Sequence, residues 1–307
     1  MLILSMATKR NVVIEKLRRP YYLIRNNTYI YKNFVNRKYR VTESDLRDIS
    51  PVQGKIIAEL NQNGIATAPF EELFPIAEFL KLLEWVSENE VKLKQKSKKK
   101  FLYSYYGTED SNKPLDLNNP FVQLYLSEEL LQIVVAYLGY IPQIHEVYIE
   151  KTVPVKDVSP TYSQNWHRDP EEKKTLKIFL YLNDVNIESG PFTYILGSQP
   201  SSKSGLSKIF PQKLPHGSYP EEGSVSSLID NESCYVATAR KATLIFCDTS
   251  GLHRGGLATK YDRIMSTAFF PSKKYSEKPL FNLNSFKGSD IAKYNLNFLA
   301  QKVLGLK

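Results

Sequence analysis

The apolar pattern of this chain changes period at Ile141, and that change restricts the fold more than any other feature. Before it, Leu73, Ile76, Ala77, Leu80 and Leu83 recur at intervals of three and four, the stripe of an amphipathic helix that begins near Glu71. A second helix follows Ser127, an N-cap with Glu128 and Glu129 in the first turn; it carries Leu130, Leu131, Val134, Val135 and Leu138 and stops at Gly139. After Ile141, β-branched and aromatic residues gather in short alternating runs divided by Gly, Pro, Asn, Asp and Ser. The runs are Ile144–Val153, Ser163–Asp169, Thr175–Val185, Pro191–Leu196, Cys234–Ala239, Thr243–Asp248, Leu252–Gly256 and Arg263–Phe270. Antiparallel strands so numerous in one stretch predict a mainly β protein with flanking helices and a jelly-roll core of two facing sheets.

The remaining chain is assigned around that core. Residues 1–50 alternate aromatic clusters with Arg and Lys without a sustained period and are read as a basic N-terminal arm. Residues 51–307 are read as a single domain, with helical framing over 71–140, the β core over 141–272 and a C-terminal extension over 273–307. The segment 198–233 holds ten serines and is read either as a lid or as an insertion without structure. The net charge of +9 is local: residues 1–50 hold eleven basic and four acidic residues, 91–100 hold six lysines and no acid, and the rest of the chain is net −4. Phosphate tracking by those two segments would suit a nucleic-acid partner, but no base-stacking motif accompanies them, and charge runs are usually solvated. Two cysteines, Cys234 and Cys247, make no disulfide framework. No run reaches the length of a membrane span and Leu2–Leu4 is too short for a signal peptide, so a cytoplasmic location away from membranes is expected.

Histidine is scarce in this chain, at His145, His167, His216 and His253. His167 and Asp169 stand two residues apart, which on an extended strand puts both on one face. His253 follows the apolar strand Leu244–Cys247, among Gly251, Gly255 and Gly256, where a backbone can approach a ligand closely. Two imidazoles and one carboxylate on one face make the triad of non-haem Fe(II) oxygenases, which leaves positions open for substrate and O2. Ten residues further on, Arg263 opens the last β run, and its fork suits the distal carboxylate of the cosubstrate 2-oxoglutarate. His145 at the head of a strand is read as structural and His216 as a loop residue; Trp166 is read as packing away from the metal face.

Three stretches carry a resemblance to a known family: Gln164–Pro170, Phe179–Val185, and Glu188–Phe192 followed by Ile195–Ser198. Over about residues 55–272 the chain resembles the phytanoyl-CoA dioxygenase family of Fe(II)/2-oxoglutarate-dependent oxygenases. The resemblance implies a double-stranded β-helix core of the cupin kind, with Fe(II) held by His167, Asp169 and His253, and 2-oxoglutarate gripped by Arg263 and hydrogen-bonded by Gln164. It implies O2-dependent hydroxylation of an unactivated C–H bond of a small molecule, with release of succinate and CO2. Strand alternation would turn Gln164 away from His167, so a twist or bulge is expected there. Three positions depart from the family pattern: Leu196 and Gln199 stand where a Pro and a His are common, and Gly255 where a Ser often adds to the grip on 2-oxoglutarate. A non-catalytic jelly-roll binding module, and the same chemistry on a nucleic acid or other macromolecule, are the alternative readings.

Overall fold

The computed structural model describes residues 20–306 except 22, 97–98, 107–112, 170–171, 211–218, 222 and 276–278. His216 and residues 1–19 of the predicted arm therefore lie outside the described residues. The strands are β1 (Ile65–Pro69), β2 (Lys94–Lys96), β3 (Lys99–Tyr106), β4 (Glu146–Thr152), β5 (Leu176–Tyr181), β6 (Phe192–Ile195), β7 (Cys234–Val236), β8 (Thr243–Cys247), β9 (His253–Gly255) and β10 (Arg263–Phe270). They form a seven-stranded sheet in the order β1-β8-β5-β10-β4-β3-β2 and a three-stranded sheet in the order β7-β6-β9. Every ladder is antiparallel. This is the mainly β jelly roll with flanking helices that the change of period predicts.

Strand alternation gives the large sheet two different faces. On β10, Ile264, Ala268 and Phe270 join the core under the helices, whereas Met265 joins a second core between the two sheets, with Phe179, Tyr181, Phe192, Tyr194 and Ile245. The helix Glu128–Leu138 lies in the first core with Leu130, Leu131, Val134 and Val135 buried. Ser127 caps it, accepting from the Leu130 N–H at 3.4 Å, and Gly139 ends it at φ 76°. The helix predicted from Glu71 starts later, at Ile76, after a 3₁₀ turn over Phe70–Glu72. Of the predicted stripe, Ile76 and Leu80 are exposed while Leu73 and Leu83 pack against the core, and Phe79 and Leu82 carry the fully buried contacts.

Several elements escape the periodicity argument. The helix Pro51–Asn63 has few apolar residues but strong ends, a capping box between Ser50 and Gln53, Pro51 at its first position and Gly64 at φ 80°. β2 and β3 lie in and beyond the lysine run, and β3 pairs with β4 from Leu102↔Thr152 to Tyr106↔Tyr148. The described part of the arm packs on the domain. Buried Arg25 is ion-paired with the fully buried Glu172, which also accepts from the Tyr31 hydroxyl at 2.9 Å and the Ser272 N–H at 2.7 Å. Among the described residues no helix is long and apolar enough to cross a membrane.

Candidate metal centre

The centre is assembled where the segment before β5 runs beside β9. His167 and His253 form an antiparallel bridge in which each N–H donates to the other's carbonyl at 2.9 Å, and the Asp169 N–H donates to the Thr249 carbonyl at 3.0 Å. The bridge brings the two imidazoles within 4.1 Å, centroid to centroid. Asp169 Oδ1 lies 3.5 Å from His167 Nε2 and 3.8 Å from His253 Nε2, and one ligand atom from each of the three residues falls within 4.8 Å of the others.

Each ring is oriented through its other nitrogen. His167 Nδ1 lies 2.9 Å from the Asn165 carbonyl and His253 Nδ1 lies 3.0 Å from the Gly251 carbonyl. A carbonyl can only accept, so both Nδ1 atoms carry hydrogen and the two Nε2 atoms are the ones turned toward Asp169, the orientation that metal-binding imidazoles adopt. Burial, reinforced by the neighbouring His167, brings the His253 imidazole down to about 3, which keeps its Nε2 lone pair available at neutral pH. Burial raises the Asp169 carboxyl, but the Lys177 ammonium at 2.8 Å acts the other way, and the carboxyl lies well below the usual range. Two imidazole nitrogens and a carboxylate on one face fit a divalent transition metal with open positions.

A cavity of about 200 Å³ extends from the triad and is lined by Gln164, Lys177, Phe179, Phe192 and Arg263 among others. Arg263 is buried at 4% exposure. Its guanidinium donates to the Gly190 carbonyl and, at 3.3 Å, to Thr152 Oγ1, while Nε has no partner and no described residue forms an ion pair with it. A buried cation without a counter-charge is costly, and a bound carboxylate removes that cost. Gln164 lines the same cavity because it ends a 3₁₀ turn over Tyr162–Gln164 and is not in a strand, so the alternation argument does not apply to it. Its Oε1 accepts from Thr161 N and Oγ1, both at 3.3 Å. A Cβ on Gly255 would lie 3.8 Å from Arg263 Nη2, in ordinary contact.

Three residues of the centre were not anticipated from the sequence. Lys177 Nζ holds Asp169 Oδ2 at 2.8 Å, leaving Oδ1 toward the imidazoles. A lone lysine inside the apolar run Leu176–Leu180 was the available signal. Arg168, 1% exposed, points away from the triad and donates to the carbonyls of Ser198, Leu206, Ile209, Phe210 and Ser250. It thereby anchors the described start of the 198–233 segment to the back of the segment that carries His167 and Asp169. From the same segment Tyr219 stacks on His167, with centroids 5.7 Å apart and planes 9° apart. His145 packs against the rings of Phe269 and Tyr275 and stands apart from the triad. Trp166 lies on the far side, against the Ile195, Val225 and Leu252 cluster and under the Arg254 guanidinium at 4.5 Å. Cys247 is a buried strand residue.

No protein-family model matches the sequence, and no curated protein matches it. Solved structures do. The epimerase SnoN in complex with Fe3+, alpha-ketoglutarate and nogalamycin RO superposes with a TM-score of 0.55 at 12% identity, over 75% of this chain and 87% of that one. EctD from S. alaskensis with bound Fe gives 0.53 at 16% identity, over 79% of this chain and 86% of that one. The non-heme alpha-ketoglutarate-dependent carbocyclase SnoK from nogalamycin biosynthesis gives 0.51 at 14% identity, over 78% and 89%. The fold is thus the jelly roll shared by these iron- and 2-oxoglutarate-binding proteins.

Proposed function

We propose that this chain is a non-haem Fe(II)- and 2-oxoglutarate-dependent dioxygenase, of the phytanoyl-CoA dioxygenase kind, that hydroxylates an unactivated C–H bond of a small molecule in the cytoplasm. The observation that carries the reading is the meeting, in one cavity, of the His167/Asp169/His253 donor set with a buried guanidinium that has no ion-pair partner among the described residues. The shared fold supports it.

In this reading His167 and His253 hold iron through Nε2 and Asp169 through Oδ1. Bound there, iron and 2-oxoglutarate bring the oxidising power of O2 to a substrate C–H bond, with succinate and CO2 as coproducts. The chain's own groups do the positioning. The Asn165 and Gly251 carbonyls fix the rings, and Lys177 fixes the second oxygen of Asp169. Arg263 grips the distal carboxylate of 2-oxoglutarate by its fork, and Gln164 stands by as a polar partner on the same wall. Phe179 and Phe192 add apolar ring surface to the same cavity beside the triad. Asp169 as a ligand favours hydroxylation over halogenation, which needs that position for halide.

The test is anaerobic binding of Fe(II) and 2-oxoglutarate followed by succinate release in air, with His167→Ala alongside. Joint stabilisation by the two ligands and loss of succinate release in the variant are expected. Unchanged turnover by His167→Ala would overturn the proposal.

A further inference from the structure

The metal centre gives the N-terminal arm no role, and the described part of that arm has an unusual distribution of side chains. Buried Arg25, Tyr31 and Asn36 hold it to the domain, and Val35 and Tyr39 pack against the core. Between these points the large apolar side chains turn outward. Tyr21, Leu23, Ile24, Tyr29 and Phe34 are 58% to 67% exposed. Of the fourteen large apolar side chains exposed among the described residues, these five fall within fourteen consecutive positions. Tyr29 and Phe34 are in ring contact, with centroids 6.0 Å apart, and both still face outward. A segment that buries an arginine and an asparagine while it exposes leucine, isoleucine and phenylalanine inverts the ordinary distribution, and clustered exposed apolar side chains mark an interaction surface.

Charge says what kind of partner that surface fits. From Lys16 to Thr42 the chain carries eight basic residues and no acidic one. Arg25 is taken by Glu172, but Arg37, Lys38 and Arg40, which follow Phe34 closely, are exposed. A second copy of this chain would bring the same positive charge against itself, and the phosphates of a nucleic acid would give Leu23 and Ile24 nothing apolar to be buried in. An anionic lipid surface answers both features, since its headgroups attract Lys and Arg while the boundary with the acyl chains takes apolar side chains. The ion pair of Arg25 and the bond from the Tyr31 hydroxyl, both to the fully buried Glu172, fasten the segment before any partner arrives, so little ordering is left to be done on contact. Contact of this kind needs no spanning helix, so the lack of one among the described residues bears on crossing a membrane and not on lying against it.

We propose that the arm, over Tyr21–Arg40, docks this chain on an anionic lipid surface, with Leu23, Ile24, Tyr29 and Phe34 set among the headgroups and the basic residues against the lipid anions; this replaces the expectation of a location away from membranes. Cosedimentation of the full chain with vesicles of phosphatidylcholine, alone or with about 30% phosphatidylserine, tests it. Binding to the anionic vesicles is expected to be at least about tenfold tighter than to the neutral ones and to fall as salt rises from about 0.1 to about 0.5 M. Leu23→Ser with Ile24→Ser, at exposed positions, should weaken vesicle binding by about tenfold or more at an unchanged melting temperature. Arg37→Gln with Lys38→Gln should weaken binding to the anionic vesicles, whereas Ile187→Ser, equally exposed but far along the chain, should bind as the wild type does. The proposal is overturned by absence of binding to the anionic vesicles, by equal binding to both kinds, or by wild-type binding in Leu23→Ser with Ile24→Ser. A concentration-dependent dimer in sedimentation velocity that the same variant dissolves would give the surface to a second copy, and salt-sensitive binding of single-stranded RNA that the variant weakens as much would give it to a nucleic acid; either result also overturns the proposal.

Discussion

Replacing Arg263 by methionine separates what this side chain does for the fold from what it does for the site. Two charge-assisted hydrogen bonds to a bound carboxylate, each worth about 1.5–3 kcal/mol, would go. A loss of about 3–6 kcal/mol corresponds to a fall in 2-oxoglutarate affinity of roughly two to four powers of ten. Without ligand the balance is different. The wild-type guanidinium is held by a backbone carbonyl and a hydroxyl and has an unpartnered Nε, so methionine removes a buried, uncompensated charge. Such replacements are neutral or stabilising by about 1–4 kcal/mol, against which the Gly190 carbonyl loses its donor at about 1–3 kcal/mol. The net change is expected within about 1 kcal/mol of zero. For 307 residues, at about 2 cal/mol/K each, that is a shift of only about 2 °C in melting temperature. Thermal unfolding without ligand and anaerobic calorimetry with 2-oxoglutarate and a redox-inert divalent metal read the two quantities. Arg263→Lys keeps the charge but not the fork and should fall between. Wild-type affinity for 2-oxoglutarate in Arg263→Met, or a ligand-free melting temperature lowered by more than about 5 °C, would refute the reasoning.

Further outcomes follow from other contacts. In Gly251→Ala the new Cβ would lie 1.8 Å from the Tyr194 hydroxyl, so the chain carrying the Gly251 carbonyl must move off His253 Nδ1; divalent-metal affinity should drop about 10–100-fold, and an unchanged metal titration would count against that orienting role. Arg168→Met removes the guanidinium donor from five carbonyls, of which Leu206 keeps the Ile209 N–H, and should free the described start of the 198–233 segment, seen as faster tryptic cleavage at Lys203 and Lys208; an unaltered cleavage rate would show that the anchor is dispensable. Lys273 is brought down to about 8 by burial and by Lys302 and Lys38, so the folded chain binds fewer protons than the unfolded one between about pH 8 and 10.5 and this group makes stability rise with pH across that window. Urea unfolding at the two ends should show a smaller rise in Lys273→Met, and equal rises would remove Lys273 as the source.

The predicted elements that hold are those whose information is local. The helix Glu128–Leu138 carries its own cap, stripe and stop, and the β runs that become strands carry their own alternation. His167 and Asp169 were readable for the same reason, because two positions along an extended chain share a face. Elements without such a signature were lost. β3 contains part of a lysine run, yet it is a strand because β4 offers it an edge. The stripe of the helix Ile76–Asn89 was read only in part: Leu83 packs on the core, but Ile76 and Leu80 do not, because Phe79, in ring contact with Phe70, and Leu82 take the buried side.

From the sequence alone, the change of period, the scarcity of histidine and the placing of charge determine a jelly roll, a candidate His/Asp/His set and a core free of the basic excess. Tertiary structure alone decides what surrounds that set. Arg263 lies without an ion-pair partner among the described residues, Lys177 holds the outer oxygen of Asp169, and Arg168 fastens a segment thirty to forty residues away. The physical reason is that strand parity and capping depend on neighbours in the chain, whereas counter-charge, desolvation and enclosure depend on groups that meet only when the two sheets close.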